Sequence, residues 1–303
     1  MTRSLRGVLC ALATPFSADG SRVDEPALRD LVDGLIGQGI HGLVPCGSTG
    51  EFAALRREER KQVVEVVIDQ TGGRVPVVPH TGATSTAIAI ELAQHAESLG
   101  ADGVMVVQPY YEPMTLDEVY GYFKDISDAI RIPMMVYNIP SCTGQNLPPA
   151  FLARLGREIE NVRYVKDSTG DLSQLSELLL KYADDVVTFN GWDTVSFSGL
   201  ALGSTGTIWG AANVAPRQCV DLFNLIEAGR LDEARVLWNT QLWPIMQFLV
   251  TEGYLASVKA GANLIGFRVG EPRPPFRPLS PDKITELRRL LVAAGTLREA
   301  VAL

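Results

Sequence analysis

Short apolar runs alternate along this chain with longer stretches of helical periodicity. Eight apolar runs predict strands, and a segment with the spacing of an amphipathic helix follows each of them. The predicted strands are Val8–Ala13, Gly42–Cys46, Val75–His80, Gly103–Gln108, Pro133–Asn138, Val162–Lys166, Val186–Asn190 and Gly206–Trp209. The predicted helices lie near Ala27–Gln38, Arg56–Gln70, Thr86–Leu99, Leu116–Ile130, Pro149–Leu155, Leu172–Tyr182, Val195–Leu202 and Pro216–Glu227. This alternation indicates an α/β protein with a parallel sheet.

The number of strand–helix units predicts the fold. Eight units within about 230 residues match a (β/α)8 TIM barrel. A doubly wound sheet is the alternative, but no G-x-G-x-x-G motif follows the first strand. After residue 230 the pattern is helical, over Leu231–Val250, Tyr254–Ile265 and Pro281–Ala294. We therefore expect a barrel domain in residues 1–230 and a C-terminal helical extension packed on it in residues 231–303.

Composition narrows the class of function. The chain has 303 residues, of which 46% are hydrophobic and 20% charged, and its net charge is -8. No long basic run accompanies that charge, which argues against a nucleic-acid partner or a membrane surface and favours small-molecule chemistry. The four cysteines are far apart and form no C-x-x-C pair, so neither a zinc site nor a disulfide framework is predicted. A reducing, cytoplasmic location fits this pattern.

Lys166 is the most informative candidate for catalysis, because it ends a predicted strand and precedes a polar turn. The other five lysines fall in predicted helices or surface segments, where a lysine is normally a solvated charge. Desolvation disfavours an ammonium ion, and a neutral amine can attack a ketone to form a Schiff base. The alternative is that Lys166 pairs with its neighbour Asp167.

Other polar residues follow the ends of neighbouring predicted strands, where barrel enzymes carry their active sites. The turn at Gly47–Gly50 offers backbone N–H groups and two hydroxyls, which suit a carboxylate or a phosphate. Tyr137, one strand before Lys166, is a candidate proton shuttle, although a lone tyrosine is more often a packing residue. His80 is a candidate for the pocket lining. The three histidines are too scattered to form a metal triad, so they predict no metal site.

Four segments in this order and spacing resemble the dihydrodipicolinate synthase / N-acetylneuraminate lyase family. They are Gly47-Ser48-Thr49-Gly50-Glu51, Pro109-Tyr110-Tyr111, Tyr137-Asn138-Ile139-Pro140 and the stretch from Tyr164 to Gly170 that contains Lys166. The resemblance covers essentially the whole chain, including the helical tail. It implies a metal-free class I lyase that forms a Schiff base with a 2-oxo acid, usually pyruvate. It also implies a homotetramer of barrels.

The resemblance assigns catalytic roles to four residues. It implies that Lys166 is the Schiff-base lysine and that Tyr137 is the phenol that transfers protons above it. It further implies that the Ser48 hydroxyl links Tyr137 to Tyr111, and that Tyr111 reaches into the site of a neighbouring subunit. These roles are expectations from the family.

Substrate-binding roles follow from the same resemblance. Thr49, together with the backbone amides of Ser48 and Thr49, is expected to hold the carboxylate of the pyruvyl unit. Gly191 and Ile208 match family positions that line the pyruvyl pocket.

Two departures from the family pattern bear on the substrate. Cys142 stands where dihydrodipicolinate synthases carry an arginine that binds the carboxylate of aspartate semialdehyde, and a thiol has no bidentate contact to offer. Asn190-Gly191-Trp192-Asp193 resembles the N-G-Y-D segment of sialic acid lyases, in which the aspartate binds sugar hydroxyls. Trp209 adds bulk at the end of the last predicted strand, a feature that matches no subgroup.

The sequence therefore predicts a Schiff-base lyase that cleaves or forms a carbon–carbon bond at a pyruvyl unit and that is not a true dihydrodipicolinate synthase. Within the family, the alternatives are a 2-keto-3-deoxy sugar acid dehydratase, an imino-acid deaminase and a true 4-hydroxy-tetrahydrodipicolinate synthase. Outside it, a non-catalytic barrel that binds a keto acid is the alternative, and a metal-dependent class II aldolase is disfavoured because ligand clusters are not evident.

Overall fold

Seven parallel strands form one sheet in the part of the chain that the structure describes. The computed structural model describes residues 3–298. The strands are β1 (Gly7–Ala11), β2 (Gly42–Val44), β3 (Val104–Val107), β4 (Met134–Asn138), β5 (Val162–Asp167), β6 (Val187–Asn190) and β7 (Gly206–Trp209). Nearly all of their residues are buried, as is typical of parallel strands that are covered on both faces.

Thirteen α-helices connect and follow these strands within residues 3–298. They are α1 (Glu25–Gly37), α2 (Arg57–Thr71), α3 (Thr86–Ser98), α4 (Leu116–Ala129), α5 (Pro140–Thr143), α6 (Pro149–Glu158), α7 (Leu172–Lys181), α8 (Ser196–Ala201), α9 (Pro216–Glu227), α10 (Leu231–Leu237), α11 (Trp243–Thr251), α12 (Tyr254–Leu264) and α13 (Pro281–Ala293). The eight helices predicted to follow the strands are present, with ends shifted by at most a few residues. The short helix α5 was not predicted.

The chain divides into two compact units. The first contains residues 3–7 and Pro76–Ile208, and its strands lie in the order β7-β6-β5-β4-β3. The second contains Val8–Val75 and residues 209–298, and β1 pairs with β2 there. The predicted fold class is confirmed: this is an α/β protein of the (β/α)8 TIM-barrel type with C-terminal helices.

The third predicted strand, Val75–His80, is reduced to two isolated bridge residues, Val77 and His80, of which His80 pairs in parallel with Met105. Carbonyls in this segment do accept hydrogen bonds, since the amides of Asp102 and Met105 donate to Val77 and Pro79. Pro76 and Pro79 have no N–H group, and so the segment cannot supply the donors of a regular ladder. The apolar run was recognised correctly, but its prolines prevent a full strand.

The helical extension contains the three helical segments that were predicted. The first of them, Leu231–Val250, is interrupted by a widened π turn at Trp238–Leu242 between α10 and α11. Pro244 follows this turn and cannot donate the regular hydrogen bond back along the helix, which accounts for the irregularity. The division at residue 230 stays a prediction, and residues 1–2 and 299–303 of its two parts lie outside the described residues.

Within residues 3–298, no helix is both long and apolar enough to cross a membrane.

Candidate active site

Lys166 lies at the carboxyl end of β5 in the first unit, and its side chain is only 4% exposed. The register pairs Lys166 with Tyr137 on β4 and with Phe189 on β6. Paired residues on parallel neighbours project from the same face of a sheet. The fold therefore places a lysine between two aromatic side chains on one buried face.

Of these two aromatic neighbours, Tyr137 contacts the Lys166 amine directly. The Lys166 Nζ atom lies 4.0 Å from the centre of the Tyr137 ring, and Tyr137 is 4% exposed. His80 packs edge-on against the same ring, with 6.3 Å between ring centres and an interplanar angle of 85°. His80 is buried as well, so its edge-on contact restricts the position of the tyrosine ring.

The carboxylate of Asp167 is occupied by neutral donors. Thr169 Oγ1 donates to its Oδ2 at 2.8 Å, while the side-chain amides of Asn138 and Gln174 donate to its Oδ1 at 3.1 and 3.0 Å. Burial raises the pKa of the Asp167 carboxyl, and these hydrogen bonds act against that shift. Consecutive side chains of a strand point to opposite faces, so Asp167 turns away from Lys166. The alternative that Lys166 pairs with Asp167 is therefore wrong.

The turn that follows Lys166 is fixed by the start of α7. Asp171 is the N-cap of this helix and accepts hydrogen bonds from the amides of Ser173 and Gln174. Gly170 has a φ of +74°, and a Cβ atom there would lie 3.2 Å from the Trp192 indole. Glycine at this position provides both the left-handed turn and the space for the indole.

Gly191 packs directly against the lysine side chain. A Cβ atom at this position would collide with Ser168 Oγ and lie 2.7 Å from Lys166 Cε and 2.8 Å from Cγ. Ser168 Oγ also donates to the Gly191 carbonyl at 2.9 Å. Any side chain at residue 191 would displace the lysine or the serine.

The segment after β6 carries Asp193 on a short 3-10 turn, where it is 4% exposed. Asn190 fixes the backbone before it, because its side chain donates to the Trp192 carbonyl and accepts from the Trp192 amide. Ile208 is fully buried on β7, and Trp209 beside it is also buried. Asp193, Gly191 and Ile208 all belong to the same unit as Lys166.

Cys142 and Tyr111 lie at exposed positions of that unit. Cys142 is a free thiol on the short helix α5, directly after the end of β4. The Tyr111 side chain is 83% exposed, in the loop between β3 and α4.

Ser48 and Thr49 lie in a tight loop of the second unit. Two residues with left-handed backbone flank the loop, Cys46 with a φ of 60° and Glu51 with a φ of 56°. Position 50 requires a glycine, because a Cβ atom there would lie 3.0 Å from both the Cys46 amide nitrogen and the Leu12 carbonyl oxygen. Thr14 Oγ1 donates to the Gly50 carbonyl at 2.7 Å and thereby anchors the loop.

Lys259 is buried, although the sequence predicts that all lysines other than Lys166 are solvated charges. It is only 1% exposed in α12, and its Nζ atom lies 2.7 Å from Glu51 Oε1. Burial lowers the pKa of Lys259 to about 8, against the attraction of the Glu51 carboxylate. The expectation that only Lys166 is buried is therefore wrong, because tertiary contacts from distant segments enclose Lys259.

The described part of the chain contains no group of three or more His, Cys, Asp or Glu side chains arranged to hold a metal ion.

A parallel α/β barrel with a buried lysine at a strand end defines a class of enzyme, the barrel lyases that work through an amine. Comparisons with known proteins narrow that class. The sequence model of the dihydrodipicolinate synthetase family matches residues 4–294. A 4-hydroxy-tetrahydrodipicolinate synthase from Pelobacter propionicus is 42% identical over 90% of this chain and 93% of its own length.

Two further relatives agree with that match. The 4-hydroxy-tetrahydrodipicolinate synthase of Methanopyrus kandleri is 37% identical over 97% of this chain and 98% of its own length. The crystal structure of a dihydrodipicolinate synthase from Acinetobacter baumannii, complexed with pyruvate, has a TM-score of 0.92 and 33% identity, and covers 97% of this chain and 100% of that chain. The chain belongs to the dihydrodipicolinate synthetase family. It is accordingly a class I lyase, an enzyme of the aldolase kind that works through a Schiff base.

Proposed function

We propose that this enzyme cleaves or forms a carbon–carbon bond at C3 of a pyruvyl unit, with Lys166 as the Schiff-base lysine. The observation that carries the proposal is the position of Lys166. Its amine is buried at a strand end, 4.0 Å from the centre of the Tyr137 ring. In this proposal the partner molecules are a 2-oxo acid and, for bond formation, an aldehyde, and neither a metal nor a cofactor takes part.

The reaction begins at the Lys166 amine. The neutral amine adds to C2 of the 2-oxo acid, and loss of water gives a protonated imine. In the cleavage direction the C3–C4 bond breaks, and its electrons move into the imine to form an enamine. Tyr137 passes its own proton to Ser48 along the proposed relay and takes the proton of the C4 hydroxyl, whose oxygen becomes the aldehyde oxygen. Protonation of C3 and hydrolysis of the imine then release pyruvate and restore Lys166.

The substrate carboxylate is assigned to the loop of the second unit. Thr49 and the backbone amides of Ser48 and Thr49 supply donors for a carboxylate. Gly191 and Ile208 line the pyruvyl pocket in this proposal. The contact between Gly191 and the Lys166 side chain supports that position for Gly191.

Ser48 and Tyr111 complete the proposed proton relay. The Ser48 hydroxyl links Tyr137 to a Tyr111 that comes from a neighbouring subunit. The 83% exposure of Tyr111 in a single chain supports this role, because a second copy can cover it. The relay therefore requires an oligomer, for which we propose a homotetramer built as a dimer of dimers, in the cytoplasm.

The second substrate is a hydroxylated aldehyde in this proposal, so that the cleaved compound is a 2-keto-3-deoxy acid. Asp193 is assigned to its hydroxyl groups, since a carboxylate accepts hydrogen bonds. Cys142 replaces the cationic partner that aspartate semialdehyde would need for its own carboxylate. Dehydration of a 2-keto-3-deoxy sugar acid and deamination of a cyclic imino acid are alternatives that pass through the same imine.

True 4-hydroxy-tetrahydrodipicolinate synthase activity is the second candidate. The relatives from Pelobacter propionicus and Methanopyrus kandleri carry that name at 42% and 37% identity, which favours it. Against it stands Cys142, because a charged hydrogen bond to a carboxylate contributes about 1.5 to 3 kcal/mol, or roughly tenfold to a hundredfold.

A product panel tests the proposal. Purified enzyme is incubated with 2-keto-3-deoxy acids, and pyruvate, ammonia and dehydration products are measured separately. Condensation of pyruvate with aspartate semialdehyde is measured in parallel, in wild type and in Cys142→Arg. The proposal expects pyruvate release from a 2-keto-3-deoxy acid and a higher kcat/KM for aspartate semialdehyde in Cys142→Arg. A wild-type preference for aspartate semialdehyde would establish the synthase instead.

A further inference from the structure

The loop that carries Ser48 and Thr49 is held in a conformation that its own residues do not favour. Cys46 and Glu51, at its two ends, both have positive φ angles, a backbone region that is unfavourable for residues other than glycine. Such conformations persist only where surrounding contacts determine them. The contacts around Glu51 therefore decide whether the loop keeps its shape.

Glu51 is anchored through both of its carboxylate oxygens. Oε1 lies 2.7 Å from Lys259 Nζ, and Oε2 accepts a hydrogen bond of 2.8 Å from the Arg273 amide. The Glu51 side chain is completely buried. Two separate parts of the C-terminal region thus hold one residue at the end of the loop.

These two anchors are themselves fixed. Lys259 donates to the Glu271 carbonyl at 3.0 Å, and its ammonium lies 3.9 Å from the centre of the Phe16 ring. The Arg273 guanidinium lies over the same ring at 4.0 Å and donates to both oxygens of Glu59 at 2.8 and 2.7 Å. Both partners of Glu51 therefore have further contacts of their own that fix their positions.

A buried ion pair is an ineffective way to stabilise a fold. Desolvation of the two charges offsets their attraction, and replacement by apolar groups is often neutral or stabilising. The position of this pair indicates that it fixes the conformation of the loop, because Glu51 immediately follows the turn at Gly47–Gly50. We propose that Lys259 and Glu51 are positioning residues, which orient the Ser48 and Thr49 donors towards the substrate carboxylate.

This inference rests on the proposed function, in which that loop binds the pyruvyl carboxylate, and it makes a selective prediction. A change at Lys259 should weaken the binding of ketones that carry a carboxylate and should leave the binding of ketones that lack one unchanged. General damage to the fold would affect both kinds of ketone.

The test is borohydride trapping of two ketones by intact mass, with pyruvate as the carboxylate-bearing probe and acetone as the probe without a carboxylate. Wild type, Lys259→Met and the control Lys283→Met are compared over a range of ketone concentrations. Lys283 is a suitable control because it is also a C-terminal lysine paired with glutamates, Glu252 and Glu286, and within residues 3–298 it forms no hydrogen bond or ion pair with the loop.

For Lys259→Met we expect the half-saturating pyruvate concentration to rise roughly tenfold or more, the usual effect of losing a charge-assisted contact. The maximal trapping rate with pyruvate and the trapping rate with acetone should stay within about twofold of wild type. Lys283→Met should match wild type with both ketones. Unchanged half-saturation in Lys259→Met, or an equal loss with both ketones, would overturn the inference.

A second variant covers the case in which Lys259→Met leaves Glu51 as an unpaired buried charge and fails to fold. The double variant Glu51→Gln with Lys259→Met removes both charges and should show the same selective loss with pyruvate. Wild-type half-saturation in the double variant would contradict the positioning role. Failure of the wild type itself to trap pyruvate would refute the proposed function, which is a separate result.

Discussion

The two compact units each bury one lysine against an aromatic ring, but the surroundings of the two amines differ. Lys166 lies 4.0 Å from the Tyr137 ring centre, and Lys259 lies 3.9 Å from the Phe16 ring centre. Lys259 has a carboxylate at 2.7 Å, whereas no residue within 3–298 forms an ion pair with Lys166. The neighbouring carboxylate of Asp167 is instead taken up by Thr169, Asn138 and Gln174.

This difference separates a reactive lysine from a structural one. A carboxylate partner stabilises the ammonium form, which is not nucleophilic, and it also occupies the amine. An aromatic ring alone leaves room for a substrate to approach. Burial of a lysine is therefore insufficient evidence of catalysis, and the identity of the groups around the amine is the more useful criterion.

The largest expected effect is that of Lys166→Ala. This substitution should abolish turnover of the substrate identified by the product panel while the protein remains folded, because the covalent route has no substitute amine. Turnover is measured together with circular dichroism. Lys181→Ala, which changes an exposed lysine paired with Glu177, is the control and should retain full activity. Residual turnover in Lys166→Ala would show that another group carries the reaction.

Tyr137→Phe should slow turnover by roughly two to four orders of magnitude, the usual contribution of a positioned acid or base. Trapping of pyruvate by borohydride should stay detectable, since the amine is unchanged. Tyr164→Phe is the matched control, because its phenol lies on a neighbouring strand and accepts a hydrogen bond from the Leu5 amide. Near-normal turnover in Tyr137→Phe would remove that residue from the mechanism.

Gly191→Ala should reduce the rate of pyruvate trapping by roughly tenfold to a hundredfold, because the new methyl group occupies the space of Ser168 Oγ and the Lys166 side chain. Gly121→Ala is the control, since a Cβ atom at that helical position meets nothing within 4 Å. Trapping at the wild-type rate in Gly191→Ala would mean that the Lys166 side chain can shift without losing its reactivity towards pyruvate.

The smallest expected effect concerns pH and Lys259. Burial lowers the pKa of Lys259 from 10.5 to about 8 in the folded state. Between these values the unfolded chain holds a proton that the folded chain has lost, so stability rises with pH by at most about 1.4 kcal/mol per unit. Below about pH 8 Lys259 causes no change of stability with pH, because its amine is protonated in both the folded and the unfolded chain.

Urea denaturation at pH 8 and pH 10 measures this contribution. The free energy of unfolding of wild type, relative to that of Lys259→Met, should increase between the two values. Lys283→Met provides the contrast, because hydrogen bonds with Glu252 and Glu286 raise the pKa of the exposed Lys283 amine. A constant difference between wild type and Lys259→Met would show that the buried ammonium keeps its proton throughout.

Much of the fold could be predicted from periodicity, and the exceptions have local causes. The alternation of apolar runs and amphipathic segments located seven strands and the main helices, because a buried parallel strand is a short apolar run. The prediction of a full strand over Val75–His80 was wrong, because the hydrophobic pattern contains no information about the missing N–H groups of Pro76 and Pro79. Likewise, Pro244 breaks a helix that the apolar pattern continues.

The candidate site could be predicted only in part. Strand ends meet at one edge of a parallel sheet, so Tyr137 and Lys166 could be placed together from their positions alone. The partners of Asp167 could not, because Gln174 comes from a helix and Asn138 from another strand. The burial of Lys259 is equally a tertiary effect, produced by Phe16 and Glu51, more than 200 residues away in sequence.

The central claim, that Lys166 and not Lys259 is the Schiff-base lysine, has one direct measurement. Wild-type enzyme is incubated with pyruvate and borohydride, its intact mass is measured, and the modified residue is located by peptide mapping. We expect one pyruvate-derived adduct per chain, located on Lys166, with Lys259 unmodified. An unchanged intact mass, or an adduct on Lys259, would contradict it.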